Sequence, residues 1–424
     1  MLQGNLHPDF AAVGVSLSRI LPRRGPGGAA VCVYHHGEKV VDIWGGTRDE
    51  AGNPWQADTL STSFSTTKGV VSTLLHMFAD RGKIDYDARV ADYWPEFAQA
   101  GKDAIAVRHL LCHEAGLYAI ADMVEHASEM LDWEQMVRHL AAAAPRHAPG
   151  AAHGYHALTY GWLVGEIVRR VAGMKPISEL FATEIAAPLG LDGLYCGVPA
   201  DQLHRCAQLF GPQFRGPAEK RRANTERMIA RAQRWRRRLS AVGVRYDPTE
   251  ALAALLPPGM DEFELDGEPV RSASIPAMNG MFTARSLARL YACLAAGGEL
   301  DGVRLLSAEG VRRATAQQNR GVGRVIPLSM RWRLGYHRSF ALGASAPKGF
   351  GHYGFGGSGA FADPTRQLSV ALTVNSAIGT PLGDLRIARV GGVVVRCADR
   401  RTQGLLQAAG GRAQRGEAER GQTS

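Results

Sequence analysis

Apolar side chains at Val70, Val71, Leu74, Leu75 and Phe78 recur as i, i+1, i+4, i+5, i+8, which predicts a helix buried along that stripe. Phe10, Val13, Leu17, Ile20 and Leu21 predict an earlier helix over residues 8–21, stopped by Pro22 and the Gly/Pro-rich run to Gly28. The period then changes. Ala29–Tyr34 and Lys39–Ile43 read as strands joined by a turn at His36-Gly37-Glu38, and a charged loop, Thr47–Asp58, follows. From Gly82 the pattern is helical with short connections, as in Val107–Cys112, Trp133–Ala144, Leu158–Val171 and Pro176–Ala187. Strand texture returns at Leu328–Leu334, Gly359–Ala362 and Leu368–Asn375, the last two separated by the turn Asp363-Pro364-Thr365-Arg366. A final helix is predicted from Leu382 to about Cys397, and Gly404–Ser424 reads as a disordered tail. No internal repeat interrupts this order. Strands at both ends with helices between predict a discontinuous sheet domain, 1–80 plus 275–400, a helical insertion over 81–274, and a tail over 401–424. The helix beginning near Ser65 falls at the seam, where ligand clefts form.

Composition narrows the class. At 424 residues with 45% hydrophobic content the chain can bury one large or two smaller cores. No run of about 18 apolar residues is present, so no membrane span is expected. The first residues lack a basic and then apolar leader pattern, which makes the cytoplasm the expected compartment. The six cysteines are scattered without a Cys-x-x-Cys pair and read as reduced, mostly buried thiols rather than a zinc site or a disulfide scaffold. The net charge of +9 is concentrated between Arg215 and Arg238 and near the C-terminus. Such a run more often makes a solvated helix face than a nucleic-acid site. Trp235 is the only aromatic residue from Lys220 to Arg238, so no base-stacking platform is evident. Residues 211–265, which hold this segment, are otherwise the least legible part of the chain.

Candidate chemistry starts at Ser65-Thr66-Thr67-Lys68. On a helix, residues three apart share an edge, so the lysine amine can reach the serine hydroxyl. Serine needs a neighbour to take its proton, and a desolvated lysine can do so. The tetrad alone also fits a capping serine and a solvated lysine. Ser345-Ala346-Pro347-Lys348 has the same spacing in a Gly/Pro-rich loop and reads as coincidence. Two further stretches supply partners. Tyr155, in Gly154-Tyr155-His156-Ala157, precedes an amphipathic helix and can act as a base if its phenolate is stabilised by lysine. Tyr160 is a rival, one turn inside that helix and more suited to the core. In Phe350-Gly351-His352-Tyr353-Gly354-Phe355-Gly356-Gly357-Ser358-Gly359, the glycines before a strand suit close backbone approach to a ligand and N–H groups aimed at an oxyanion.

In this order the Ser-x-x-Lys, Tyr and His-x-Gly stretches resemble the serine β-lactamase and penicillin-binding-protein superfamily. Within it they are most similar to class C β-lactamases and family VIII carboxylesterases. Val107–Leu117 resembles the family's RHLLTHTSGL segment, and Asn279–Ala284 its GG(L/M)xST segment. The resemblance spans residues 8 to 398. It implies an α+β fold, an α/β sandwich whose antiparallel sheet is flanked by N- and C-terminal helices, with an inserted all-helical domain. It further implies Ser65 as nucleophile, Lys68 as its activating partner and Tyr155 as base and leaving-group acid. His352 and Gly354 stand where relatives have Lys-Thr-Gly, and the Ser65 and Phe355 N–H groups would hold the oxyanion. No metal or organic cofactor is implied. The Gly-x-Ser-x-Gly pentapeptide is not met at Gly356–Ala360, whose fifth residue is alanine.

The departures from the pattern favour an ester over a lactam. The asparagine that class C enzymes carry two residues after the tyrosine is Ala157, and the lysine of Lys-Thr-Gly is His352. The expected function is therefore hydrolysis of short- or medium-chain carboxylic esters, with a small-molecule ester as the partner. β-Lactamase or D-aminopeptidase-like amide hydrolysis on the same machinery, a scaffold protein without catalysis, and nucleic-acid binding by 215–238 are the other readings.

Overall fold

The computed structural model describes residues 1–211, 218–241, 246–377 and 384–421. In chain order its strands are β1 (Gln3–Leu6), β2 (Gly28–His35), β3 (Glu38–Gly46), β4 (Ser61–Thr62), β5 (Leu194–Tyr195) and β6 (Met281–Phe282). There follow β7 (Glu299–Leu300), β8 (Val303–Arg304), β9 (His337–Arg338), β10 (Phe350–Tyr353), β11 (Gly359–Asp363) and β12 (Leu368–Val374). Seven form one antiparallel sheet in the order β1-β3-β2-β12-β11-β10-β9. The seam between the two halves of the chain is the β2–β12 ladder, from Ala29 opposite Val374 to His35 opposite Leu368. Residue alternation explains the layers. Val31 and Val33 on β2 enter one apolar core with the helices α1 (Ala11–Ile20) and, at the other end of the chain, Arg386–Gly421. Ala30, Cys32 and Tyr34 point the other way, into a core shared with α2 (Thr66–Asp80) and the central helices. The expected α+β sandwich is present, with its sheet antiparallel and its terminal helices on one face.

The central helices used below are α3 (Trp133–Ala142), α4 (Tyr160–Val171), α5 (Ala218–Ala241), α6 (Pro248–Leu255) and α7 (Ala284–Ala295); the C-terminal helix is α8 (Arg386–Gly421). Every residue of α2 from Thr66 to Ala79 is buried, far beyond the stripe that the sequence pattern marks. This follows from its central place: α4 packs on it from one side and β10 from another.

Two expectations change. Leu328–Leu334 forms no strand; Arg331 has φ +50, and the backbone N–H groups of Arg333, Leu334 and Gly335 donate to Tyr336, Ala314 and Leu111 rather than to a ladder. The strand there is instead the short β9. Helix α8 does not stop near Cys397 but runs to Gly421, so the stretch read as a disordered tail continues a helix; residues 422–424 lie outside the described residues. Helix-forming Ala, Arg, Gln, Glu and Leu stand there among five glycines, which is why the sequence alone did not mark a helix. His352 lies in β10. Gly351 permits this, because a Cβ there would sit 2.1 Å from the Ala360 carbonyl oxygen on β11.

Candidate active site

Ser65 caps α2, directly after β4. The turn into the helix is tight: Phe64 takes φ +44, in the left-handed region that bulky residues avoid. The turn is held from outside. The Ser63 N–H donates to Gly280 O at 2.8 Å, and Thr67 Oγ1 donates to Phe64 O at 2.6 Å while accepting from the Gly280 N–H at 2.9 Å. The Asn279-Gly280 segment thus fixes the elbow that presents Ser65. Gly280 has no room for a side chain there, since a Cβ would lie 2.4 Å from Thr67 Oγ1.

Lys68 is fully buried one turn on. Its Nζ lies 3.1 Å from Ser65 Oγ and donates to the carbonyls of Ala157 (2.7 Å) and Ala277 (2.9 Å). Burial drives the amine well below the ordinary lysine range, and among the described residues no carboxylate opposes it. A neutral amine has two N–H groups and one lone pair. The two carbonyls take the two N–H groups, which leaves the lone pair directed at the Ser65 hydroxyl.

Tyr155 Oη donates to Ser65 Oγ at 2.8 Å. The loop that carries it is clamped by the Val107–Leu117 segment. The N–H of Gly154 donates to His113 O at 2.9 Å, and that of His156 to His113 Nδ1 at 3.1 Å. The Leu117 N–H in turn donates to His156 Nε2 at 3.1 Å. The phenol ring stacks on Trp332, with centroids 5.5 Å apart and planes within 8°, and meets His113 edge-on. Burial holds its hydroxyl well above the ordinary tyrosine range, with the Ser65 contact pulling slightly the other way. Tyr155 is therefore a phenol, not a phenolate.

The His352 ring also stacks on Tyr155, centroids 6.2 Å apart, and lies as close to Trp332. Its Nδ1 must donate to the Tyr353 carbonyl, 3.2 Å away, because a carbonyl can only accept. Nε2 is then a buried acceptor without a partner among the described residues. Burial first, then His337 and Lys68, push the ring well below the ordinary histidine range. His156 and His337 are pushed down to about 3 and about 4, chiefly by burial. The histidine and tyrosine rings around Ser65 are thus uncharged, and burial works against charge on Lys68 as well.

The third stretch closes over the Ser65 turn. A Cβ on Gly354 would meet Ser63 O at 2.3 Å, so only glycine lets the end of β10 approach this closely. The Phe355 ring meets that of Phe64, the neighbour of Ser65, edge-on at 6.0 Å. Arg386 ties the same loop from below: it donates to Gly356 O at 2.9 Å and pairs with Asp384 at 2.6 Å.

The structure brings together Ser65, Lys68, Tyr155, His352, Gly354 and Phe355. It excludes the look-alikes. Ser345 and Lys348 are exposed in a loop. Tyr160 is buried in α4, where its hydroxyl pairs with Ser72 Oγ at 2.7 Å. Tyr160→Phe should therefore cost about 1 kcal/mol of stability, read by denaturant unfolding, with ester turnover unchanged. Sequence reading missed Trp332, taken for a strand residue, and the Ala277 carbonyl. The Gly161 of α4 was the available signal for the latter: a Cβ there would lie 2.6 Å from the Ala277 N, so the glycine marks the close approach that delivers this carbonyl to Lys68.

This fold and cluster define a serine hydrolase of the β-lactamase and penicillin-binding-protein superfamily. The chain belongs to the Beta-lactamase family, whose model matches residues 18–393. It is similar to Esterase/beta-lactamase LipL of Mycobacterium tuberculosis, 40% identical over 376 residues, 88% of this chain and 82% of that protein. Among solved structures it resembles a family VIII carboxylesterase (TM-score 0.79, 34% identity, covering 94% of this chain and all 100% of the other). A penicillin-binding-protein homologue from Caulobacter crescentus is similar to the same degree (TM-score 0.79, 35% identity, 94% and 100% covered).

Proposed function

We infer that the protein is a serine carboxylesterase of the β-lactamase-like superfamily, acting on short- or medium-chain esters through an acyl-enzyme at Ser65. The observation that carries this reading is the position of Ser65 Oγ, 3.1 Å from a buried Lys68 amine and 2.8 Å from the Tyr155 hydroxyl. Lys68 takes the Ser65 proton as Oγ attacks the ester carbonyl carbon. The oxyanion is held by the Ser65 and Phe355 N–H groups. When the C–O bond breaks, Tyr155 gives its proton to the departing alkoxide, and the proton on Lys68 restores the phenol. Water repeats the sequence on the acyl-enzyme: Lys68 takes its proton as the oxygen attacks the acyl carbon, Tyr155 gives its proton to the departing Ser65 Oγ, and the proton on Lys68 again restores the phenol. In this assignment a neutral Lys68, rather than a Tyr155 phenolate, is the first base.

Neutrality around the serine favours an ester over an anionic lactam. His352 offers a lone pair where a carboxylate needs a cation, and Ala157 has no side-chain amide. LipL and the carboxylesterase neighbour, named for ester hydrolysis, support the same choice. LipL's name also includes β-lactamase, so the test sets the two substrates side by side: p-nitrophenyl butyrate and a chromogenic cephalosporin, with a fluorophosphonate probe mapped by peptide mass. Rapid ester turnover, slow or absent cephalosporin turnover and a phosphonyl adduct on Ser65 are expected. Preference for the cephalosporin would reverse the substrate assignment, and an unlabelled Ser65 in a folded protein would favour a catalytically silent scaffold.

A further inference from the structure

Helix α5 is unlike the other helices of the molecule. Ala218–Ala241 contains nine Lys or Arg residues against two Glu, and most of its surface is exposed. The positions are ordered. Met228, Ala232, Trp235 and Leu239 recur at spacings of four, three and four, which is one helix face. Arg227, Arg231, Arg234 and Arg238 follow the same spacing one residue earlier and form a basic stripe directly beside it. Ala232 is buried, yet Trp235 is 47% and Met228 44% exposed, and neighbouring Ile229 is exposed as well. Arg231, Arg234, Arg237 and Arg238 face no carboxylate among the described residues, whereas Arg222 and Arg236 pair with Asp261 and Asp247. No helix among the described residues is long and apolar enough to cross a membrane.

The placement of α5 is informative too. It packs on α6, and α6 buries Ala254 in the cluster that holds Tyr155 and Trp332. The basic helix therefore stands one helix outward from the catalytic tyrosine. Leu255 on α6 and Val322, on the loop whose Val325 joins the same cluster, are further exposed apolar side chains on this side of the molecule.

We propose that α5 is an interfacial docking helix for an anionic lipid surface, with Met228 and Trp235 entering the acyl boundary and the arginine stripe meeting headgroup phosphates. Adjacent apolar and basic stripes are the chemistry of a helix lying in a membrane interface. Nucleic acid fits less well, because duplex binding uses the arginines but gives no gain for exposed Met228, Ile229 and Trp235. Resting on the esterase reading, the docking brings the Ser65 cleft to water-insoluble esters held in that surface.

The test uses the full chain carrying Ser65→Ala, so that vesicle lipid is not hydrolysed. It is sedimented with phosphatidylcholine vesicles with or without about one-third phosphatidylglycerol. Expected is binding to the anionic vesicles alone, weakening as salt rises. Removing three charges in R234Q/R237Q/R238Q should lower the partition coefficient about 100-fold, at about fivefold per charge near an anionic surface. M228S/W235S should lower it at least about tenfold through lost apolar burial. All these side chains are exposed, and unchanged thermal unfolding will show that the fold is kept. Equal binding to both vesicle types, or none, would overturn the proposal. So would duplex DNA binding lost in the arginine variant while M228S/W235S leaves sedimentation unaltered. In the Ser65-containing protein, p-nitrophenyl butyrate turnover in solution should be the same in both variants. Vesicle binding without turnover of any ester would support the docking helix and overturn the esterase reading alone.

Discussion

Replacing Lys68 by alanine should lower kcat for p-nitrophenyl butyrate by at least about 10³, and Lys68→Arg should not restore it. The reason lies in the count of lone pairs. The Ala157 and Ala277 carbonyls occupy two amine hydrogens and leave the nitrogen lone pair as the acceptor for the Ser65 proton. A guanidinium at this position stays protonated and has no such lone pair. Ser65→Ala should abolish acyl-enzyme turnover, and the Ser65→Ala, Lys68→Ala double variant should be no worse than Ser65→Ala alone, because the two groups act as one unit. The pH dependence has a fixed sign. The active form is the neutral amine, so kcat/KM should fall as acid protonates Lys68, an event that burial has moved well below the ordinary lysine range. Activity that instead rises only near the ordinary lysine range would mean that Lys68 is charged in the resting enzyme.

Tyr155→Phe should cost at least about 10³ in kcat as well, with a KM change of less than about threefold. Its hydroxyl is the hydrogen-bond donor to Ser65 Oγ, while its ring is held by Trp332 and His113. Phenylalanine keeps those ring contacts, so the fold and the substrate cleft survive and only the proton route is lost. Single-turnover kinetics separate the two halves of the reaction: both acylation and deacylation should slow, since each passes a proton through this group. Near-native turnover in the variant would move the acid role to another group, and His113 and His156, both beside the ring, would be the next to replace.

Much of this site was legible beforehand because its parts are local. Ser65 and Lys68 are separated by one helical turn, and an apolar stripe behind them signals burial; that is enough to place both side chains on one edge. Tyr155 was legible as a polar residue leading into an amphipathic helix, and Gly354 as one of many glycines before a strand. Tyr160 could be set aside for its position inside the helix, and it proves to be committed to Ser72. Trp332 was hidden because its segment carries strand-like residues but its backbone N–H groups go to Tyr336 nearby and to the helix residues Ala314 and Leu111 rather than to a strand. A strand needs a ladder, and a single stretch of chain does not say whether a neighbour will offer one.

Alone, then, the sequence determines the periodicities, the superfamily motifs, the presence of serine and lysine one turn apart, and the replacement of two lactam-recognising positions by Ala157 and His352. Protonation was decided only by tertiary structure. Whether Lys68 is an ammonium or an amine depends on how completely helices and strands distant in sequence exclude water from it, and on which carbonyls they leave within reach. Whether Tyr155 is a phenol or a phenolate depends in the same way on Trp332, His113 and His352 closing around its ring. Local pattern supplies candidate groups; the dielectric and the hydrogen-bond partners that set their charge come from segments far apart in sequence.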